Sequence, residues 1–178
     1  LYSDDKHSVY QALATFALGE IMGIPPKQII SSIEKYRRNS GLNTVRNEHG
    51  IYVISDFENN AVESIGGALK ELCTLNLAPD ARRIAVLSEV GDGDEHEQEV
   101  FRKVGNIINK ANVNITVCYG DIASEITKTA DMKNKFVVKF NSRAALTEFL
   151  KLNLRDNDAV LFKGTSDNGL DEIMTDVT

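Results

Sequence analysis

The sequence predicts an α/β fold: a doubly wound, mostly parallel sheet with an N-terminal β-hairpin, preceded by a helical pair. Three observations carry that prediction. Short apolar runs rich in β-branched residues alternate with amphipathic stretches of helical period through most of the chain. A strand-helix alternation of this kind implies right-handed crossovers that place helices on both faces of one sheet. Ahead of the series the period is purely helical, and it changes at Asn39-Ser40-Gly41, so the chain divides there into residues 1–40 and 41–178.

Each element follows from its own residues. From Asp5 to Met22, Val9, Leu13, Phe16, Ala17 and Ile21 recur at three- and four-residue spacing, and Gly23 ends that helix. Pro25-Pro26 suits the first turn of a second helix, with Ile29, Ile30 and Ile33 as its buried face. Asn43 to Glu48 and Ile51 to Asp56 are extended runs on either side of His49-Gly50, which reads as a hairpin turn. A helix from about Ser64 to Thr74, with Ser64 as a candidate cap, leads to the strand Ile84-Ala85-Val86-Leu87. Then come a helix from about Glu95 to Asn109 and the strand Ile115-Thr116-Val117-Cys118. A helix over Ile122 to Thr129 and a short strand Phe136-Val137-Val138 follow. The series ends with a helix from about Ser142 to Asn153, the strand Ala159-Val160-Leu161-Phe162, and a last helix starting near Gly169.

Composition narrows the function classes. The 178 residues carry 20 Lys and Arg against 26 Asp and Glu, a net charge of −6. That balance, without a dense basic run, argues against a nucleic-acid partner, which needs a face of cations to neutralise phosphates. No apolar stretch approaches the roughly 20 residues of a membrane span. Leu1-Tyr2-Ser3-Asp4-Asp5-Lys6 lacks an initiator Met and a signal pattern, so the chain reads as a piece of something longer. Cys73 and Cys118 sit in apolar settings and read as buried free thiols of a reducing, cytoplasmic compartment.

In an open parallel sheet, ligands bind beyond the carboxyl ends of the strands. That rule selects Asp56 to Asn60, Ser88 to Asp94, Tyr119 to Asp121, Phe140 to Ser142, and Lys163 to Asp167. In Lys163-Gly164-Thr165 a cation, a hydroxyl and a glycine that permits close approach suit a carboxylate or phosphate, though a polar βα turn reads the same way. Asp56 ends a strand, where an acid can contact a ribose hydroxyl, or it stands in a plain turn with Asn59-Asn60. Glu89, Asp92, Asp94 and Glu95 do not have the spacing of a calcium loop, and His7, His49 and His96 are too dispersed in sequence to suggest a metal cluster. A Walker A loop, a Gly-x-Gly-x-x-Gly turn, a Gly-x-Ser-x-Gly elbow and a Cys-x-x-Cys pair are all absent from the sequence.

The order of segments is more specific than any one of them. Lys6-His7-Ser8-Val9-Tyr10-Gln11-Ala12-Leu13-Ala14 resembles the histidine-bearing helix start near the end of the central domain of Mur ligases. Val53-Ile54-Ser55-Asp56-Phe57-Glu58-Asn59-Asn60-Ala61-Val62-Glu63-Ser64 resembles that family's VIDDxYNANPxS segment. Arg83-Ile84-Ala85-Val86-Leu87, Gly120-Asp121-Ile122-Ala123 and Leu161-Phe162-Lys163-Gly164-Thr165 are similar to its RIAVLGDM, GxxA and LVKGS segments, in the family's order.

The resemblance implies a Rossmann-like C-terminal domain over residues 41–178, with residues 1–40 a helical tail of the central domain. It is closest to the branch that adds D-alanyl-D-alanine to a UDP-linked muramoyl tripeptide in peptidoglycan biosynthesis. It further implies ATP and Mg as cofactors, bound mainly by the central domain, so that this piece alone is inactive. Its partners would be the remaining domains of the parent ligase, a small amino acid or dipeptide, and the UDP-linked substrate. Residue by residue, Asp56 and Asn59 would face the nucleotide, with His7 near its adenine, and Lys163 and Thr165 would face the incoming amine substrate.

The sequence also departs from the family pattern. Leu42 stands where the family has an arginine that reaches the ATP phosphates, Ser8, Gln11 and Ala61 replace asparagines, and Phe101 replaces a histidine. A lost guanidinium removes charge-assisted bonds worth roughly 1.5–3 kcal/mol each. Either Arg46 supplies that charge or the ligase is diverged, and a non-catalytic interaction domain on the same fold is the alternative.

Overall fold

A computed structural model describes residues 6–35, 42–57, 61–88, 97–120 and 136–178. The chain forms two compact units, Leu1–Asn39 and Ser40–Thr178.

The first unit is a helical hairpin of α1 (Lys6–Ile21) and α2 (Pro26–Lys35). Gly23 takes φ +75° to turn the chain, a conformation open to glycine at no steric cost. Ile29 is buried against Gly19, where a Cβ would come within 2.6 Å of its Cδ1. The expected triple-isoleucine face is narrower than predicted. Ile30 is exposed and Ile33 half-buried, because successive helical residues are about 100° apart and Ile29 alone points at Gly19. Val9, Leu13 and Ile21 of the α1 stripe are likewise exposed.

The second unit is a six-stranded sheet of β1 (Asn43–Arg46), β2 (Tyr52–Asp56), β3 (Arg83–Ser88), β4 (Ile115–Tyr119), β5 (Phe136–Phe140) and β6 (Ala159–Lys163), in the spatial order β1-β2-β6-β3-β4-β5. β1 pairs with β2 antiparallel, closing the predicted hairpin, and every other pairing is parallel. Alternation along the strands feeds two cores. Ile54, Ala85, Leu87, Cys118 and Leu161 face α3 (Val62–Thr74) and α4 (Glu97–Lys110). Val53, Ile84, Val86, Val117, Val160 and Phe162 face α5 (Arg143–Asn153) and α6 (Leu170–Val177). The central strands β3 and β6 are buried on both faces, which is why they read as unbroken apolar runs.

Helix ends are held in two ways. The hydroxyl of Ser142 accepts from the Ala145 N–H at 3.5 Å, capping α5 as its position suggests. α3 begins two residues earlier than expected, and Ser64 is no cap. Its hydroxyl donates to the Ala61 carbonyl at 2.7 Å from inside the first turn. The far end of α3 is covered from β3, where the Arg83 guanidinium donates to the carbonyls of Leu72 (3.2 Å) and Leu75 (2.9 Å). The expected helix over 122–129 lies outside the described residues.

Both cysteines are free, with Cys118 buried and Cys73 only half-buried, since Cys73 stands on the rim of the α3 face rather than in it. Burial pushes the Cys118 thiol up to about 12, with Lys139 across the ladder pulling weakly the other way. A thiol reagent at pH 8 is therefore expected to modify Cys73 in the native protein and Cys118 only on unfolding. Equal rates would contradict the burial of Cys118. The raised native value keeps the thiol neutral while the unfolded one ionises, so this contribution to stability is complete below pH 9 and declines as pH rises toward 12.

Candidate functional site

Topology selects one place on the sheet. The chain leaves β2 for α3 and β3 for α4 on one face, whereas β6, which lies between them, leads to α6 on the other. Connections diverge around the carboxyl end of β6, the arrangement that opens a ligand crevice in doubly wound sheets. Asp56, Ser88 and Lys163 stand at the ends of these three strands.

Asp56 and Lys163 are register partners in the β2–β6 ladder, so their side chains emerge on the same face, that of α3 and α4. The Lys163 ammonium lies 3.3 Å from Asp56 Oδ2, with Asp56 4% and Lys163 2% exposed. A buried charge is tolerated when an opposite charge stands against it. Burial pushes the Lys163 ammonium down from its ordinary range, and Asp56 draws it partly back. The other carboxylate oxygen, Oδ1, is buried without a hydrogen-bond partner among the described residues. It is an acceptor suited to a ligand hydroxyl or a water.

On the opposite face the β6 exit is clasped to β3. Ser88 Oγ accepts from Asn168 Nδ2 at 2.7 Å, and Asn168 Oδ1 accepts from the Leu170 N–H at 3.3 Å. Between them passes Gly164, where a Cβ would stand 2.0 Å from Ser88 Oγ and 3.1 Å from Leu170 Cδ2. Toward β2, the Gly164 N–H donates to the Asp56 carbonyl at 3.1 Å. The turn after Lys163 is thus fixed from both sides, and glycine is required there by close approach. Gly164→Ala is expected to lower stability by about 1–3 kcal/mol through overpacking, with Ser88→Ala in the same chain restoring part of the loss. Urea unfolding measures both, and an unchanged Gly164→Ala midpoint would contradict the close approach.

Among the residues selected from sequence, Asp56 and Lys163 are brought together, and Thr165 is half-buried two residues further on. Asn59 lies outside the described residues, as does the acidic loop Glu89 to Glu95. His7 belongs to α1 in the other compact unit, and its side chain lies outside the description. Ser88 and Asn168 were not singled out. The strand-end rule reaches Ser88, but the acids that follow it are the more conspicuous signal.

Arg46 does not supply a cation to this site. It pairs with Tyr52 at the opposite end of β2, about 13 Å from Asp56 at 3.3 Å per residue. There its guanidinium lies 5.0 Å over the Tyr52 ring and donates to the Gly50 carbonyl and Asn157 Oδ1. Leu42 stands at the same end of the sheet as Asp56, next to Asn43, which pairs with Ser55, and it packs on the α3 core. Phe101 is buried in that core. Among the described residues no cluster of His, Cys, Asp and Glu could hold a metal ion, and no helix is long and apolar enough to cross a membrane.

A family model described as the Mur ligase glutamate ligase domain matches residues 42–166. The UDP-N-acetylmuramoyl-tripeptide--D-alanyl-D-alanine ligase of Bacillus subtilis (strain 168) is 23% identical over 175 residues, which cover 97% of this chain and 38% of that protein. The crystal structure of MurF from Acinetobacter baumannii aligns over 97% of this chain and 37% of its own, at 20% identity and a TM-score of 0.75. The MurF ligase of Thermotoga maritima in complex with ADP aligns over 91% of this chain and 35% of its own, at 16% identity and a TM-score of 0.66. The chain therefore spans little more than a third of the length of these relatives, and at such identities the structural likeness is one of fold.

Proposed function

This chain belongs to the Mur ligase family through its glutamate ligase domain, and from that premise we propose that residues 41–178 are the C-terminal, closing domain of a MurF-type ligase of peptidoglycan precursor synthesis. Residues 1–40 are then the helical tail of the central domain, with His7 near the adenine. The parent reaction is amide formation driven by ATP. The γ-phosphoryl group passes to a substrate carboxylate and releases ADP, after which an amine attacks the acyl phosphate and expels phosphate.

In that reaction this domain binds and encloses rather than transfers. Asp56, with Asn59 beside it in sequence, accepts hydrogen bonds from the ribose of ATP. The Gly164-Thr165 turn seats the incoming D-alanyl-D-alanine, and Lys163 stands between the two ligands. Closure keeps water from the acyl phosphate, which would otherwise be hydrolysed. Mg and the UDP-linked substrate would be held mainly by the rest of the parent ligase, in the cytoplasm where ATP is available.

The observation that carries this reading is the Asp56–Lys163 pair, two strand-end residues joined at the divergence of the sheet with one carboxylate oxygen left over. Phosphate release by the complete ligase, given ATP, the UDP-linked tripeptide and D-alanyl-D-alanine, is the test. Release requiring all three is expected at a kcat within the ordinary range of about 1–10³ s⁻¹, and its absence would sink the reading. A second reading, an interaction domain that has lost catalysis, is favoured by Leu42, whose side chain lies in the α3 core and gives nothing to a phosphate. It predicts a folded protein without ATP turnover. A diverged ligase is intermediate, with turnover but weakened ATP affinity.

A further inference from the structure

The resemblance assigns Lys163 to the incoming substrate, yet its ammonium is held 3.3 Å from Asp56 Oδ2 and the side chain is buried. Asp56 Oδ1 has no donor among the described residues. A buried acceptor without a donor carries a desolvation cost that a ligand hydroxyl removes. The two carboxylate oxygens therefore have different tasks, one facing a fixed cation and the other available to a ligand. We propose that Lys163 is a positioning residue for the nucleotide, holding Asp56 by Oδ2 so that Oδ1 is aimed at the ribose hydroxyls, and that it is not the seat of the incoming substrate's carboxylate. This rests on the nucleotide reading of Asp56.

Three physical points support it. The pair is fixed by backbone, since the two residues are register partners and the Gly164 N–H anchors the Asp56 carbonyl. Without the ammonium, Oδ2 loses the contact that fixes the rotation of the carboxylate, and Oδ1 is no longer held toward a ligand hydroxyl. A substrate carboxylate at Lys163 would have to displace Asp56 or place a second anion beside it, leaving one buried negative charge uncompensated.

The test is calorimetric titration of the complete ligase with ADP, with 2′,3′-dideoxy-ADP, and with D-alanyl-D-alanine. Lys163→Met is expected to weaken ADP about ten- to hundredfold and to leave the dipeptide within about twofold. Loss of the ribose hydroxyls should weaken binding to the unaltered ligase by a similar factor. In Lys163→Met it should cost nothing further, because both changes break one interaction. Lys163→Arg recovers most of the ADP affinity. Weakened dipeptide with ADP spared, or ribose hydroxyls that keep their full effect in the variant, overturns the proposal. Lys163→Gln, of similar length and uncharged, carries the same comparison should the methionine variant not fold. If the unaltered ligase itself does not distinguish ADP from its dideoxy analogue, the nucleotide reading of Asp56 fails and the proposal falls with it, a result visible before any variant is compared.

Discussion

Asp158→Ala is expected to lower the stability of the sheet unit by about 3–5 kcal/mol, the usual cost of breaking a buried ion pair from one side. Asp158 is 1% exposed and precedes β6 at the end of the sheet remote from the candidate site. Its Oδ1 accepts from the Arg82 N–H at 2.9 Å and from Arg82 Nε at 3.3 Å. Its Oδ2 accepts from Arg82 Nη2 at 2.6 Å and from the Arg155 N–H at 3.0 Å. Arg82 Nη2 also donates to the Asn153 carbonyl at the end of α5. One carboxylate thus joins the entrances of β3 and β6 to the end of α5. Removing it leaves two backbone N–H groups without their acceptor, whereas the Arg82 side chain, 18% exposed, can turn partly to water. The lower half of the range, about 3–4 kcal/mol, is therefore expected, or roughly 6–16 °C in Tm for a domain of this size. Asp158→Asn keeps one acceptor and loses the charge, so it should fall between the two. A midpoint for Asp158→Ala within about 0.5 kcal/mol of the unaltered chain, the ordinary effect of a surface substitution, would show that the pair is only decorative.

Neither Asp158 nor Arg82 was legible in the sequence as a partner of the other, and the reason is general. Periodicity reports which face of an element is buried. It therefore recovered the hairpin, the alternating strands and helices, and the parallel sheet, because each depends on short-range pattern. Long-range polar pairing leaves no periodic trace. Asp158 and Arg82 are 76 residues apart, and only the insertion of β6 beside β3 makes them neighbours. The same insertion brings Lys163 to Asp56 and Gly164 to Ser88. The strand-end rule had selected all three segments, but not their adjacency, which depends on strand order. Arg46 failed for the complementary reason. Its distance in sequence from Asp56 is small, yet an antiparallel strand carries it to the wrong end of the sheet. Ser64 reads as a cap in the sequence because a serine near the start of a helical pattern does so wherever the first turn begins, and here α3 starts at Val62.

Asp56→Ala is expected to cost about 3–5 kcal/mol as well, because it takes the opposing carboxylate away from the buried Lys163 ammonium. The double variant Asp56→Leu, Lys163→Met should recover most of that loss, since apolar residues of similar size in place of a buried pair are commonly neutral or stabilising. The pH dependence separates loss of the opposing charge from mere lost packing. In the single variant burial acts on Lys163 without the opposing carboxylate, so its ammonium falls further below the ordinary range than in the unaltered chain. Between that lowered value and 10.5 the unfolded chain binds more protons than the folded one, and stability rises with pH. The deficit of Asp56→Ala should therefore shrink as pH is raised toward 10.5. The effect of Cys118 runs the other way above pH 9 but is common to both chains, so it cancels in the difference. Urea midpoints across this range measure the deficit. A deficit that is constant with pH, together with a double variant no more stable than the single, would mean that the pair is not electrostatically coupled. Recovery in the double variant has a consequence for function. A pair that apolar residues can replace without loss of stability is not required by the fold, which is what the proposed nucleotide role of Asp56 expects of it.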